Sequence, residues 1–390
     1  MTASPPAAGP VRLTEEHLLL RDAVRVLADE QIAPRAAEID RRAEWPDDVR
    51  RLLAEHDILG IPFAERHGGL GADLLTLCLA IEQISRVCAT SGLIVAVQAL
   101  GAIPIEVAGT PEQQDRWLPG IATGARLIAF GLTEAEAGSD PSALRTTAVR
   151  DGDEYVINGS KRFISHGSVA DYVVVFAVTN PDAEKPTRRL SAILVETDRP
   201  GFKVTRLEHK MGIRGSPTAE LAFDGVRVPL GNRLGDEGQG FAVAMQTFER
   251  SRPGIAAQAV GIAQGALEVA ARYAKERHQF GKPIGELQMI QAMLADMDAS
   301  TEAARQLLYT ACEEIDAGRD AARWAAICKL VAGDTAMRVT TDAVQVLGGY
   351  GYVDEYPVER MMRDAKITQL YEGTQQIQRL IVARSLLARS

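Results

Sequence analysis

Cysteine is scarce: the 390 residues hold four, at Cys78, Cys88, Cys312 and Cys328. No two form a CxxC pair, which excludes zinc-ribbon and dithiol redox motifs. Their apolar flanks predict reduced core thiols. Histidine is almost as rare, and none of the six lies in HExxH or at helical metal-ligand spacing, so no metal site is predicted. His56 and His67 flank a loop and read as surface histidines. The three G-x-G triplets, at Gly69, Gly238 and Gly349, have Leu74, Val243 and Asp354 where a dinucleotide fingerprint needs its last glycine. A Walker A loop and a GxSxG elbow are also missing. There is no Lys/Arg tract, and 43 basic against 52 acidic residues give a net charge of −9, which argues against nucleic acid and anionic membrane as partners. No apolar run reaches the ~18 residues of a membrane span. The Pro/Ala-rich start, residues 1–10, lacks a signal pattern and reads as a frayed tail. The expected compartment is the cytoplasm. If the chain is an enzyme, its chemistry is expected from a cofactor held without these motifs.

What is present divides into three zones. Residues 11–126 show helical spacing of apolar positions, as in Leu18, Leu19, Ala23, Val24 and Leu27, with Pro34 expected to bend or end the first helix. Residues 127–236 carry short β-branched and aromatic runs between turn signals such as Asp151-Gly152, Asn158-Gly159 and Asp224-Gly225. No helix separates these runs, so an antiparallel sheet or barrel is predicted. Residues 237–390 are rich in Ala, Leu, Met, Gln, Glu and Arg, all good helix formers. Helices over 256–276, 288–317, 321–347 and 375–388 are expected to form an antiparallel bundle. Pro253 should start the first of these or kink a longer helix that begins upstream.

Four segments carry possible chemistry. Residues 130–140 place Thr133, Ser139 and free backbone N–H groups after an apolar run, which suits a polar ligand or a helix-capping turn. Residues 161–165, if extended, put Phe163 and Ser165 on one face, as a ligand wall or an ordinary strand. Arg277 precedes a Gly/Pro turn at residues 281–283, as a phosphate ligand or as compensation for a helix dipole. Last come Gly348 and Gly349, then Tyr371-Glu372-Gly373-Thr374. Thr374 is a natural N-cap, and Glu372 just before it is a solvated dipole partner or a catalytic acid–base group. Glu249 and Arg252, at i and i+3, read as a surface ion pair unless a ligand recruits them.

Together, the order of zones and these segments resemble the acyl-CoA dehydrogenase family, of the short- or medium-chain type, over about residues 12 to 388. The most specific stretches are 132–140, 277–282 and 371–374. Residues 211–214 and 223–229 look like strands of that family's barrel. The resemblance implies an α+β fold: an N-terminal helical domain, a central antiparallel β-barrel-like domain and a C-terminal four-helix bundle. It implies FAD as cofactor and dehydrogenation of an acyl-CoA thioester to the trans-2-enoyl-CoA. Glu372 would take the α-proton and flavin N5 the β-hydride. Some branches carry the base on the first bundle helix, but the matching residue here is Ser251, which cannot serve.

By the same resemblance, Phe130, Leu132, Thr133 and Ser139 surround the isoalloxazine and diphosphate, and Phe163, Ile164 and Ser165 lie against the flavin. Arg277, Phe280, Gln288, Gln345, Gly348 and Gly349 hold the adenosine diphosphate part across a subunit interface, and Thr374 and Gln376 complete the site. Ser139, Glu249, Arg252, Tyr371 and Gly373 face the substrate, with Glu249 and Arg252 toward the CoA moiety. A homotetramer and an electron-transfer flavoprotein as electron acceptor are implied. The chain departs from common family residues at Phe163, Ser165, His166, Ala135 and Glu249. Competing readings are a carrier-protein thioester as substrate, oxygen as acceptor, or a non-catalytic helical assembly protein.

Overall fold

The computed structural model describes residues 11–388. The tail expected at residues 1–10 lies outside the described residues. Six helices open the chain: α1 (Glu15–Leu27), α2 (Ala36–Arg42), α3 (Asp47–Glu55), α4 (Leu74–Ser85), α5 (Ala89–Ala108) and α6 (Pro111–Ala122). Three of these starts follow side-chain capping. Thr14 and His17 form a reciprocal capping box on α1, Asp73 caps α4, and Thr110 with Gln113 caps α6, which has Pro111 in its first turn. Pro34 acts as expected: past α1 the chain widens into a π turn at Ala28–Ile32 and tightens into a 3₁₀ turn at Ala33–Arg35.

The central sheet holds β1 (Ile128–Gly131), β2 (Thr147–Asp151), β3 (Glu154–Ser165), β4 (Tyr172–Val178), β5 (Leu190–Glu196), β6 (Phe202–Leu207), β7 (Thr218–Pro229) and β8 (Arg233–Leu234). The strand order is β6-β7-β3-β2-β4-β5-β8, with β1 also paired to β4. Most pairings are antiparallel, as predicted, but β1 and β2 both run parallel to β4. On β4, Val173, Val175 and Ala177 enter one core while Val174, Phe176 and Val178 enter another. A strand covered on both faces reads as an unbroken apolar run rather than an alternating one. The second of these cores joins the sheet to α5 and α6 through Ile105, Trp117 and Ile121.

The rest is helical: α7 (Gly240–Glu276), a short ribbon of β9 (His278–Gln279) and β10 (Lys282–Pro283), then α8 (Gln288–Asp316), α9 (Ala321–Leu347), α10 (Val358–Ala365) and α11 (Gln375–Leu387). Helices α7, α8 and α9 pack on one another, and α11 packs against α9 to complete the C-terminal helical domain. The first bundle helix starts at Gly240, not near residue 256, and runs through Pro253. Pro253 lacks an N–H and leaves the carbonyl one turn upstream without its helical donor.

Three further expectations are corrected. His67 is buried, with Nε2 3.0 Å from Asp115 Oδ1. Residues 211–214 form a loop between β6 and β7, with Ile213 at φ 44° and its N–H donating to Asp364, rather than a strand. Helices α5 and α7 are long and apolar enough, by length and composition, to cross a membrane, but most of each such stretch is buried inside the protein. The cysteines follow the prediction: all four are buried and free.

Candidate active site

Glu372 sits in the turn between the short helical turn Lys366–Gln369 and α11. The Thr374 side chain caps α11 by accepting from Ile377 N–H. That cap fixes where the helix begins and so holds the turn before it. Glu372 has φ 51° and Gly373 φ 91°. The left-handed region is costly for a residue with a Cβ, so the surroundings must impose it.

Three helices do so. From α7, Arg252 Nε donates to the Glu372 carbonyl (3.1 Å), and the Ser251 hydroxyl donates to the Glu372 carboxylate. From α11, Gln378 Nε2 donates to the carbonyls of Glu372 (3.1 Å) and Gly373 (2.8 Å). From α9, the buried Lys329 Nζ donates to the Gly373 carbonyl (2.8 Å) and to Gln375 Oε1 (3.2 Å). The Tyr371 hydroxyl donates to Gln258 Oε1, and Gln258 Nε2 donates to the Ala89 carbonyl at the start of α5 (2.9 Å).

Electrostatics poise this carboxyl near neutrality, as burial also does Glu106, which lacks the clamp around Glu372. Burial pushes Glu372 up to about 7, against the opposing pull of the Ser251 hydroxyl, Arg252 and Lys329. Burial also pulls Lys329 down to about 7, against the attraction of Glu372. A carboxyl poised near neutrality can both take and return a proton.

A chain of ring contacts joins this turn to the end of β1. The Arg252 guanidinium lies 5.2 Å from the Phe248 ring, which lies 5.6 Å from the Phe130 ring, which lies 4.9 Å from Phe176. Past Phe130, residues 132–139 are anchored by a buried pair. Lys161 Nζ donates to the Leu132 carbonyl (3.0 Å) and to Glu134 Oε1 (2.7 Å). The Glu134 carboxylate also accepts from the N–H groups of Arg145 and Thr146. Burial pulls Lys161 down to about 8 although Glu134 opposes it. The Thr133 carbonyl accepts from Arg162 N–H (2.8 Å). Ser139 on this anchored loop is exposed and Thr133 is half-buried.

Phe163 departs from the predicted extended geometry. It has φ 59°, and the β3–β7 register shifts between Lys161 and Ile164. The two-residue spacing therefore does not fix a common face for Phe163 and Ser165. Phe163 is 57% exposed, Ile164 is buried against β7, and Ser165 is half-buried. His166 follows at φ 60°, fully buried, edge-on to Trp45 at 4.7 Å, with neither ring nitrogen hydrogen-bonded. Burial pulls it down to about 3, so it is neutral.

A second group forms elsewhere. Arg277, Phe280, Gly348 and Gly349 line a cavity of about 690 Å³ together with Tyr273 and Tyr350. The Arg277 guanidinium lies 5.4 Å from the Tyr350 ring, and Phe280 is 88% exposed. Gln288, Gln345 and Gln376 are exposed, and Gln288 and Gln345 do not line that cavity. Arg252 and Arg277 are 25 residues apart along and just past α7, so the two groups are separated by about 38 Å of helix. Arg252 and Glu249 do not pair, contrary to the surface ion-pair reading: Arg252 is buried against Glu372, and Glu249 is half-buried with its carboxyl pushed up by burial.

Sequence reasoning missed Lys329, Gln258, Gln378 and the Lys161–Glu134 pair, and saw Ser251 only as a residue that cannot be a base. The available signal was one polar side chain on an otherwise apolar helical face, as at Lys329 among Ala325, Ala326, Ala332 and Gly333 at i±3 and i±4.

Comparison with known proteins bears directly on this arrangement. Family models of the acyl-CoA dehydrogenase N-terminal, middle and C-terminal domains match residues 14–125, 129–226 and 238–387. The chain is 49% identical over 377 residues to a cyclohex-1-ene-1-carbonyl-CoA dehydrogenase of Geobacter metallireducens, covering 96% of this chain and 99% of that one. It is 46% identical over 372 residues to a short-chain-specific acyl-CoA dehydrogenase of Clostridium acetobutylicum, covering 95% and 98%. The butyryl-CoA dehydrogenase structure from Megasphaera elsdenii superposes with a TM-score of 0.94 at 42% identity, covering 97% of this chain and all of that one. With all three of its layers matched and a near-neutral carboxyl clamped beside its last helix, this chain belongs to the acyl-CoA dehydrogenase family and is an oxidoreductase acting on acyl-CoA.

Proposed function

We propose that the chain is an FAD-dependent acyl-CoA dehydrogenase in which Glu372 removes the α-proton of the acyl thioester. The observation that carries this reading is the Glu372 carboxyl itself: half-buried, held in a left-handed turn by three helices and raised to about 7. The α-proton of a thioester is weakly acidic, so its removal needs a fixed carboxylate and a site that excludes water. Arg252, Gln378 and Lys329 supply the fixing by tying down the two carbonyls of the turn. An apolar acyl chain entering beside Glu372 removes further water and raises its proton affinity.

The residues present suit FAD. The loop at 132–139 offers the hydroxyls of Thr133 and Ser139, Phe163 offers an exposed ring, and Phe130 reaches the Glu372 side through Phe248. Bound there, FAD supplies the acceptor for the β-hydride. Ile164 and Ser165 hold the strand behind that face. Glu249, Tyr371 and Gly373 border the substrate, and Thr374 and Gln376 close the end of the site.

We further infer a homotetramer whose cofactor sites are shared between subunits. Arg277 stands about 38 Å of helix from Arg252 at the Glu372 turn, so Arg277, Phe280, Gln288, Gln345, Gly348 and Gly349 are assigned to a cofactor bound at the Glu372 turn of another subunit. A neighbouring copy brings them to it and covers Phe280. Electrons leave to an electron-transfer flavoprotein. A panel of straight and branched acyl-CoAs, added without oxygen to the purified yellow protein, tests the function. Bleaching of the flavin by at least one short or branched member is expected. A colourless protein that takes up no FAD, or a flavin that none of the panel reduces, would refute it.

A further inference from the structure

We propose that Ser251 is a positioning residue for the base: its hydroxyl, donating to the Glu372 carboxylate, aims that group and favours its anionic form. The inference rests on the reading of Glu372 as the base. Ser251 is buried on α7 beside Arg252. The two neighbours divide the work, since Arg252 Nε holds the Glu372 backbone carbonyl while the Ser251 hydroxyl holds the carboxylate. Among the described hydrogen bonds, the one from Ser251 is the only one that reaches the carboxylate oxygens; every other donor in the clamp reaches a main-chain carbonyl.

This division has a consequence. Removing Arg252, Gln378 or Lys329 loosens the turn, whereas removing the serine hydroxyl leaves the turn held and frees only the carboxylate. Burial favours the protonated form of Glu372, and a protonated carboxyl cannot accept the α-proton. A hydroxyl donor stabilises the anion. Ser251 thus works against burial and keeps a useful share of the base ionised at neutral pH. The charged and titratable groups facing Glu372 are Arg252 from α7, Lys329 from α9 and Tyr371 from its own segment, while α11 contributes the neutral Gln378. None of these is altered by a change at Ser251.

The test uses the FAD-loaded enzyme with Ser251→Ala and Ser251→Thr, and two measurements. The first is the acidic limb of the kcat/KM profile. The second is an infrared titration of the protonated carboxyl stretch of Glu372, identified by its loss in Glu372→Gln. With Ser251→Ala, both are expected to move up by about one pH unit, the size of one hydrogen bond to a charged group, with thermal stability little changed. Ser251→Thr, which keeps the hydroxyl, is expected to stay near wild type. Unmoved titrations in Ser251→Ala, or an equal shift in Ser251→Thr, would overturn the proposal. If Glu372→Gln keeps full activity, the assignment of the base fails instead, and the infrared titration still reports whether Ser251 holds the carboxylate.

Discussion

Glu372 carries two costs at once. A left-handed backbone costs a residue with a side chain roughly 1–2 kcal/mol, and its carboxyl is held near 7 instead of near 4.5. The second cost depends on pH. The folded state binds the proton more tightly than the unfolded chain, so stability falls as pH rises from about 4.5 to about 7 and then levels off. Across that window the loss from this one group is on the order of a few kcal/mol. Glu372→Gln has no such titration. Its melting temperature is expected to rise relative to wild type from pH 5 to pH 7.5, as differential scanning calorimetry would read; a constant difference would show that Glu372 is not perturbed. At this scale the sequence revealed the carboxyl, the cap at Thr374 and the arginine at 252. It hid the clamp, because the donors on Ser251, Lys329 and Gln378 are brought together only by the packing of three helices.

At the scale of elements, the loop at 132–139 depends on a lysine two strands away. Lys161 is fully buried and donates to both Leu132 and Glu134. Lys161→Met leaves a partly buried carboxylate without its cation, a change of the kind that costs about 3–5 kcal/mol. It also frees the Leu132 carbonyl. The expected outcome is a lower melting temperature and a lower ratio of visible flavin absorbance to protein absorbance after gel filtration. Wild-type flavin retention in this variant would show that the pair does not shape the loop. Helices were legible here because capping residues and 3.6-residue spacing act locally, and strands because turn residues bracketed them. The parallel pairing of β1 with β4 was not, since strand partners are chosen by the fold of the whole sheet. The break at Phe163 was not either: a single left-handed residue undoes the alternation on which face assignments rest. His67 reads as a surface residue from its loop, yet it is buried, with the exposed Asp115 on α6 as its partner.

At the scale of the whole molecule, α7 acts as a spacer. It carries Ser251 and Arg252 in its first half and ends just before Arg277, so it separates the Glu372 turn from the cavity that Arg277 lines. The proposed assembly predicts complementation. Glu372→Gln and Arg277→Glu chains, each inactive alone, are expected to regain activity when refolded or expressed together. One mixed site then combines the intact Glu372 of one chain with the intact Arg277 of the other. No recovery in verified hetero-oligomers would mean that each chain builds its site alone. The order of three zones was readable from composition, because helical and extended stretches differ in residue type. The separation of Arg252 from Arg277 was not, because it follows from the length of one uninterrupted helix through Pro253.

The rate at which a short-chain acyl-CoA bleaches the flavin in anaerobic stopped flow, compared between wild type and Glu372→Gln at equal FAD content, tests the central claim most directly. Loss of the positioned carboxylate is expected to slow bleaching by about 10²–10⁴-fold while acyl-CoA still binds. A variant that bleaches within a few-fold of wild type would contradict it.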